Sequence, residues 1–291
     1  MNLMKNLKTA GNRRTALVTG TSSGFGLLIS IELAKRGFNV VAGMRRPQAS
    51  EPLMKAAELA GVAGAISVVE MDITNESQVL AAVEQARTQF GTIDVLVNNA
   101  GGVWGGFAEE VPLTLWREQM ETNFIGNVSV TQAVLPWMRK QGCGLIIQMS
   151  SISGVVGFPG FGPYAASKFA LEGFTECLAL EVKPFGIDVV LVEPGSYGTD
   201  IWEKGFATMQ APSDSPYRRM LESVLAYARS SASSSGNPQE VADLIGDIAC
   251  SRRRCFRYML PRSTVWTARG KRWLPDNWFK QILMAALKGN K

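Results

Sequence analysis

Along the chain, apolar and polar positions follow two alternating rhythms. Solid apolar runs rich in β-branched residues occupy residues 15–19, 38–42, 65–69, 93–97, 144–149 and 187–192. Runs this short and unbroken suit strands covered on both faces. Between them, residues 26–36, 52–60, 76–90, 113–141 and 164–183 carry apolar positions at three- and four-residue spacing, the mark of helices with one buried face. Gly37 follows the first of these helices as a stop signal. Strict alternation of the two element types predicts an α/β fold: one doubly wound parallel sheet of about seven strands, the last near residues 256–260, with helices on both faces.

The rhythm breaks between residues 196 and 237, where Pro212, Pro216 and the serine-rich run 230–235 surround one helical stretch at 217–229. An irregular insertion of this size is either functional or disordered, and it is read here as a lid over a substrate. The predicted organisation is a single catalytic domain, 13–262, containing this lid, followed by an amphipathic, basic C-terminal extension, 263–291.

Composition narrows the function. Apolar types make up 46% of 291 residues and charged types 19%, enough for a large core. Cys143, Cys177, Cys250 and Cys255 form no CxxC pair and no metal-ligand spacing, so they are read as free thiols of a reducing compartment, and no metal site is expected. Histidine is absent, which excludes histidine proton relays and leaves proton chemistry to Tyr, Lys, Asp, Glu or Cys. The net charge of +5 gathers near both ends, at Lys5, Lys8, Arg13 and Arg14 and again from Arg252 to Arg272. Solvated ends are the simpler reading of this pattern, and no nucleic-acid partner is expected. Residues 1–11 are too polar for a secretory signal or a membrane span, so a cytoplasmic location is expected.

The first strand runs into Thr19-Gly20-Thr21-Ser22-Ser23-Gly24-Phe25-Gly26 at the start of the first helix. In a Rossmann-type fold this is where a phosphate loop sits: Gly20, Gly24 and Gly26 allow a tight turn and close approach to a pyrophosphate, which the helix N-terminus favours. Past the second strand, Gly43-Met44-Arg45-Arg46 contains no acid. A carboxylate there would bind the 2′-hydroxyl of NAD, whereas Arg45 can grip a 2′-phosphate, so NADP(H) is favoured over NAD(H). The competing reading is that Arg45 and Arg46 are merely exposed. Further on, Tyr164 and Lys168 stand four apart on a helix, hence on one face. A phenol is a poor base near neutrality unless a cation such as Lys168 stabilises its phenolate.

This ordered set of motifs resembles the short-chain dehydrogenases/reductases, whose glycine motif is TGxxxGxG, and the resemblance spans residues 13 to 200. It implies that Asp72 and Ile73 touch the adenine and that Asn99, Ala100 and Gly101 line the cofactor after the fourth strand. It also implies a catalytic set of Asn123, Ser151, Tyr164 and Lys168. Ser151, thirteen positions before Tyr164, would polarise the substrate oxygen, with Ser150 as the alternative. Asn123 would hold a water behind the lysine, and Pro194, Gly195 and Thr199 would close over the nicotinamide. Through TGTSSGFG, the arginine-bearing second turn and Phe256-Arg257-Tyr258, the chain is similar to the 17β-hydroxysteroid and retinol dehydrogenase subgroup. A homodimer or homotetramer is expected.

Beyond residue 200 the resemblance gives little. Trp104, Phe107, Phe158, Phe161, Trp202, Phe206 and Met209 are candidate walls for a small lipophilic carbonyl or alcohol, or they pack the lid. In the tail, Trp266, Trp273, Trp278, Phe279, Ile282 and Leu283 stand among basic residues, a pattern that fits a membrane surface, the body of the protein or a second subunit. Two other functions share the fold: a non-redox enzyme using the same nucleotide, and a cofactor-sensing binding protein.

Overall fold

The computed structural model describes residues 13–198, 205, 209, 214–233 and 236–288. Seven parallel strands form one sheet: β1 (Thr15–Thr19), β2 (Asn39–Met44), β3 (Ile66–Glu70), β4 (Val95–Asn98), β5 (Gly144–Met149), β6 (Ile187–Pro194) and β7 (Arg257–Leu260). Their order is β3-β2-β1-β4-β5-β6-β7. The order reverses between β1 and β4, which are hydrogen-bonded neighbours in register Leu17 to Leu96. Ligands of open α/β sheets bind at such a switch point.

Both faces are covered, as the unbroken apolar runs require. On one side α1 (Gly24–Lys35), α2 (Glu51–Leu59) and α8 (Gln239–Cys250) bury Ile29, Leu33, Leu53, Val241 and Ile245 against Ala16 and Val18. On the other, α3 (Glu76–Phe90), α5 (Gly126–Gln141) and α6 (Gly162–Val182) bury Val79, Val83, Val134 and Leu178 against Leu17 and Leu96. Arg36 joins the first layer, bonding Glu32 and Asp247 at 2.6 Å each. Asn75 caps α3 by accepting from the Gln78 amide.

The sequence predicts one helix over 113–141, but the structure interrupts it. A helix α4 (Leu113–Met120) passes through a π-helical turn (Glu121–Ile125) before α5 resumes. The extra residue of a π-turn re-aims the side chains that follow and often marks a functional position. The lid stretch forms α7 (Arg218–Ser233). The tail folds as α9 (Arg262–Trp273) and α10 (Asp276–Lys288), and α10 packs on α7. Leu287 ends up buried with Val103, Phe161, Tyr164, Met209 and Val224.

Candidate active site

A cleft of about 630 Å³ opens beyond the carboxyl ends of β1, β2 and β4. Gly20 and Gly24 turn the loop with φ of +69° and +57°, conformations that L side chains rarely adopt. Gly26 is needed for a different reason: a Cβ there would collide with the Gly20 carbonyl oxygen and lie 2.6 Å from Asn99 Nδ2. Asn99 donates that Nδ2 to the Thr19 carbonyl at 2.8 Å, and Thr19 Oγ1 accepts from the Asn99 and Ala100 amides at 3.0 and 2.9 Å. The loop after β4 therefore locks the loop after β1. At the head of α1, Ser23 forms no side-chain cap and the first turn has no acid, and Ser23, Gly24 and Phe25 line the cleft. This glycine cradle at a helix N-terminus fits a dinucleotide pyrophosphate.

Of the residues assigned to the cofactor, Gly20, Ser22, Ser23, Gly24, Phe25, Arg45, Asp72, Ile73, Asn99, Ala100, Gly101, Pro194 and Gly195 all line this cleft, as do Tyr164 and Lys168. Gly26 lies behind the loop, where it permits packing. Met44 is buried, while Arg45 and Arg46 stand exposed at the rim. Asp72 is held by Thr74, whose hydroxyl and amide donate to Oδ1 at 2.8 and 3.0 Å. Thr199 lies outside the described residues.

Tyr164 and Lys168 sit in the first turns of α6, both buried. Lys168 donates to the Met149 carbonyl at 2.7 Å, and its Nζ lies 5.9 Å from the centre of the Tyr164 ring. Ser151 hydrogen-bonds Tyr164 and accepts from the Ser153 amide at 3.1 Å. Ser150 Oγ instead is buried without a partner, beside Gly154. The serine that meets the tyrosine is thus Ser151. Burial raises the Tyr164 pKa, opposed by the Ser151 bond, and pushes Lys168 down to about 8, opposed by nearby Glu172. The pair is therefore a neutral phenol beside an ammonium that gives up its proton easily.

Asn123 sits on the π-turn, fully buried, and its side chain is already engaged. Nδ2 donates to the Gly102 carbonyl at 2.9 Å and to Ser167 Oγ at 3.1 Å, while Oδ1 accepts from the Gly102 amide at 2.8 Å. Its main-chain carbonyl accepts from Asn127 Nδ2 at 2.7 Å. The asparagine to which the resemblance assigns a water behind the lysine has, in this geometry, its side chain clasped on the loop after β4.

A second cleft of about 560 Å³ adjoins the first, and Gly195 and Tyr197 line both. Its walls are mostly apolar: Phe158 and Phe161 from the segment before Tyr164, Val224 and Tyr227 from α7, and Trp266, Phe279 and Leu283 from the tail. Two expected wall residues are placed elsewhere. Trp104 lines the nucleotide cleft, which also holds Ser151 and Tyr164, its amide bonded to Gln119 Oε1 at 2.8 Å, and Phe107 stacks on Tyr217 at 4.5 Å. Met209 packs against Gly105 and Gly160. Trp202 and Phe206 lie outside the described residues. No cluster of His, Cys, Asp or Glu able to hold a metal occurs among the described residues, and all four cysteines are free and exposed.

Several contributors are absent from the motif reading. Gln119 holds Trp104 and Gly102, and Ser167 donates to the Tyr164 carbonyl at 2.7 Å. Behind Lys168, Arg257 pairs with Glu172 and Glu193. One signal was available: Gln119, Asn123, Asn127 and Thr131 recur every four residues, and all four are buried.

A dinucleotide cleft at the sheet's switch point, opening on a buried tyrosine and lysine, places the molecule among the oxidoreductases that work with a nicotinamide cofactor. The chain belongs to the short chain dehydrogenase family, whose model matches residues 14–210. It is 42% identical to the oxidoreductase YusZ of Bacillus subtilis over 95% of this chain and 99% of that one. It is 37% identical to 3-ketodihydrosphingosine reductase of Bacteroides thetaiotaomicron, over 92% and 95%. The human retinol dehydrogenase 8 is also 37% identical, over 84% and 80%, so the chain resembles the retinol and hydroxysteroid dehydrogenase subgroup. Among solved structures, a short chain dehydrogenase/reductase from Burkholderia phymatum in complex with NAD matches with a TM-score of 0.77 at 26% identity, over 90% and 93%.

Proposed function

We propose that the protein is an NADP(H)-dependent oxidoreductase that interconverts a carbonyl and a secondary or primary alcohol on a lipophilic substrate. The observation that carries this reading is the apolar cleft meeting the nucleotide cleft at Gly195 and Tyr197, beside the segment that supplies Ser151 and Tyr164. A cavity of this size and lining favours a substrate with a large apolar body and one polar reacting group. Two relatives carry names in keeping with such substrates, a ketodihydrosphingosine reductase and a retinol dehydrogenase. The phosphorylated cofactor is supported by Met44-Arg45-Arg46: no acid stands there to repel a 2′-phosphate, and Arg45 is exposed on the rim.

The bound nicotinamide supplies or accepts a hydride. The chain's own residues manage the oxygen and the proton. Ser151 donates a hydrogen bond to the carbonyl oxygen and polarises it. Tyr164, kept neutral by burial, gives its phenolic proton to that oxygen as it becomes a hydroxyl. Lys168 stabilises the resulting phenolate, and Asn123 and Ser167 fix the position of the loop and of the helix that carries the tyrosine. In the oxidative direction Tyr164 takes the alcohol proton instead.

The test follows the disappearance of NADPH, with NADH in parallel, against ketones and aldehydes graded from small and polar to large and apolar. Preferential NADPH oxidation with bulky apolar carbonyls is expected, and Tyr164→Phe should lower kcat by about 10³-fold with cofactor affinity nearly unchanged. Tight NADPH binding without turnover of any carbonyl would point instead to a non-redox enzyme or a cofactor sensor.

A further inference from the structure

The apolar cleft opens through a surface whose side chains do not suit water. On α9 and α10, Trp266, Trp273, Trp278 and Ile282 are 67%, 69%, 63% and 56% exposed. Scattered apolar residues need no explanation, but four large ones on two consecutive helices do. Within each helix they belong together: the Arg269 guanidinium lies 5.3 Å from the Trp266 ring and 5.8 Å from that of Trp273 on α9, and Trp278 and Ile282, four apart, share a face of α10. Trp266 and Ile282 also line the cleft, so the patch adjoins it.

The charge around this patch has one sign. Arg262, Arg269, Arg272 and Lys280 are exposed on the same two helices, with Asp276 the one acid between residues 262 and 288. Indole rings interspersed with arginine and lysine suit the boundary between lipid headgroups and acyl chains. No helix among the described residues is long and apolar enough to cross a membrane, so contact would be in the plane of the surface. A second copy of the chain is a poorer occupant, because a two-fold pairing through this face would set its cations against themselves.

We infer that the α9–α10 face docks on an anionic lipid surface, with the mouth of the apolar cleft turned towards the bilayer. A lipophilic substrate dissolved in that bilayer then reaches Tyr164 without crossing water. The docking surface is independent of the proposed reaction, while the delivery route rests on it.

The experiment uses the full-length protein and sedimentation with vesicles, either of phosphatidylcholine alone or of phosphatidylcholine and phosphatidylglycerol in equal parts. No substrate is present, so the outcome does not depend on the reaction. The protein is expected to sediment with the anionic vesicles, to stay in solution with the neutral ones, and to be released by salt. Trp278→Ser and Arg269→Glu, each away from the catalytic set, should each lower the partition coefficient by about 10-fold, with thermal unfolding unchanged. No sedimentation with anionic vesicles, sedimentation insensitive to both variants, or self-association through Trp278 without vesicle binding would each overturn the inference. Activity with a water-soluble ketone, measured separately on Trp278→Ser, reports on the reaction alone.

Discussion

Asn123 and the Gly102 backbone hold each other by two opposed hydrogen bonds, Nδ2 to the carbonyl at 2.9 Å and the amide to Oδ1 at 2.8 Å. The bond pair ties the π-turn to the loop after β4, which shares the cleft with Tyr164 and Lys168. Removing the side chain leaves the half-buried Gly102 amide without its partner, at a cost of about 1–3 kcal/mol, while Gln119 still donates to the Gly102 carbonyl. Asn123→Ala is therefore expected to lose about 1–3 kcal/mol of stability in urea and to lose more in kcat than in cofactor affinity. An alanine variant as stable and as active as the parent would show the clasp to be incidental.

Two shifted groups give stability a definite dependence on pH. Glu193 is raised to about 7 from 4.5, first by burial and then by Glu172, so the folded state keeps a proton that the unfolded state releases. Stability should fall as pH rises from 4.5 to 7. Lys168 is lowered to about 8 from 10.5 by burial, so the unfolded state holds the extra proton and stability should rise between 8 and 10.5. The urea midpoint plotted against pH should thus show a trough between 7 and 8. Glu193→Gln should flatten the falling limb and Lys168→Met the rising one; if neither variant changes its limb, these assignments are wrong.

The proposed preference for NADP(H) is tested at Arg45. On that proposal, replacing it with Asp puts a carboxylate beside the 2′ position, which should raise the KM for NADPH by about 100-fold and lower that for NADH. Steady-state kinetics with both nucleotides decide it, and an unaltered ratio removes Arg45 from the site.

Gly26→Ala tests the packing of the phosphate loop. Its methyl group would collide with the Gly20 carbonyl and crowd Asn99 Nδ2, both backed by β4. The loop must move, at a cost of about 1–3 kcal/mol, and titration calorimetry should show nucleotide affinity falling well before the sheet melts.

The sheet and the phosphate loop were legible in the sequence because each depends on local signals. An apolar run such as Ile146-Ile147 and a glycine such as Gly20 carry their meaning within a few residues. The clasp was not legible in that way, since Gln119, Asn123 and Gly102 meet only after α4 and β4 are placed, and nothing in 113–141 announces the π-turn. The tail resisted for another reason. Tryptophans among arginines look alike whether they cover a body or a membrane, and only the folded chain shows that Phe279, Leu283 and the buried Leu287 wall a cleft. Trp104 illustrates the converse, being close in sequence to the loop after β4 and lining the nucleotide cleft, not the apolar one.

The burial of Leu287 has a consequence for the order in which the protein is made. Each residue lining the nucleotide cleft lies at or before position 197, whereas the apolar cleft draws walls from 224 to 287. A ribosome thus releases every residue of the nucleotide cleft before those of α7 and the tail that complete the apolar one, and a protease trimming α10 would strip Phe279, Ile282 and Leu283 from the apolar wall while sparing the nucleotide cleft.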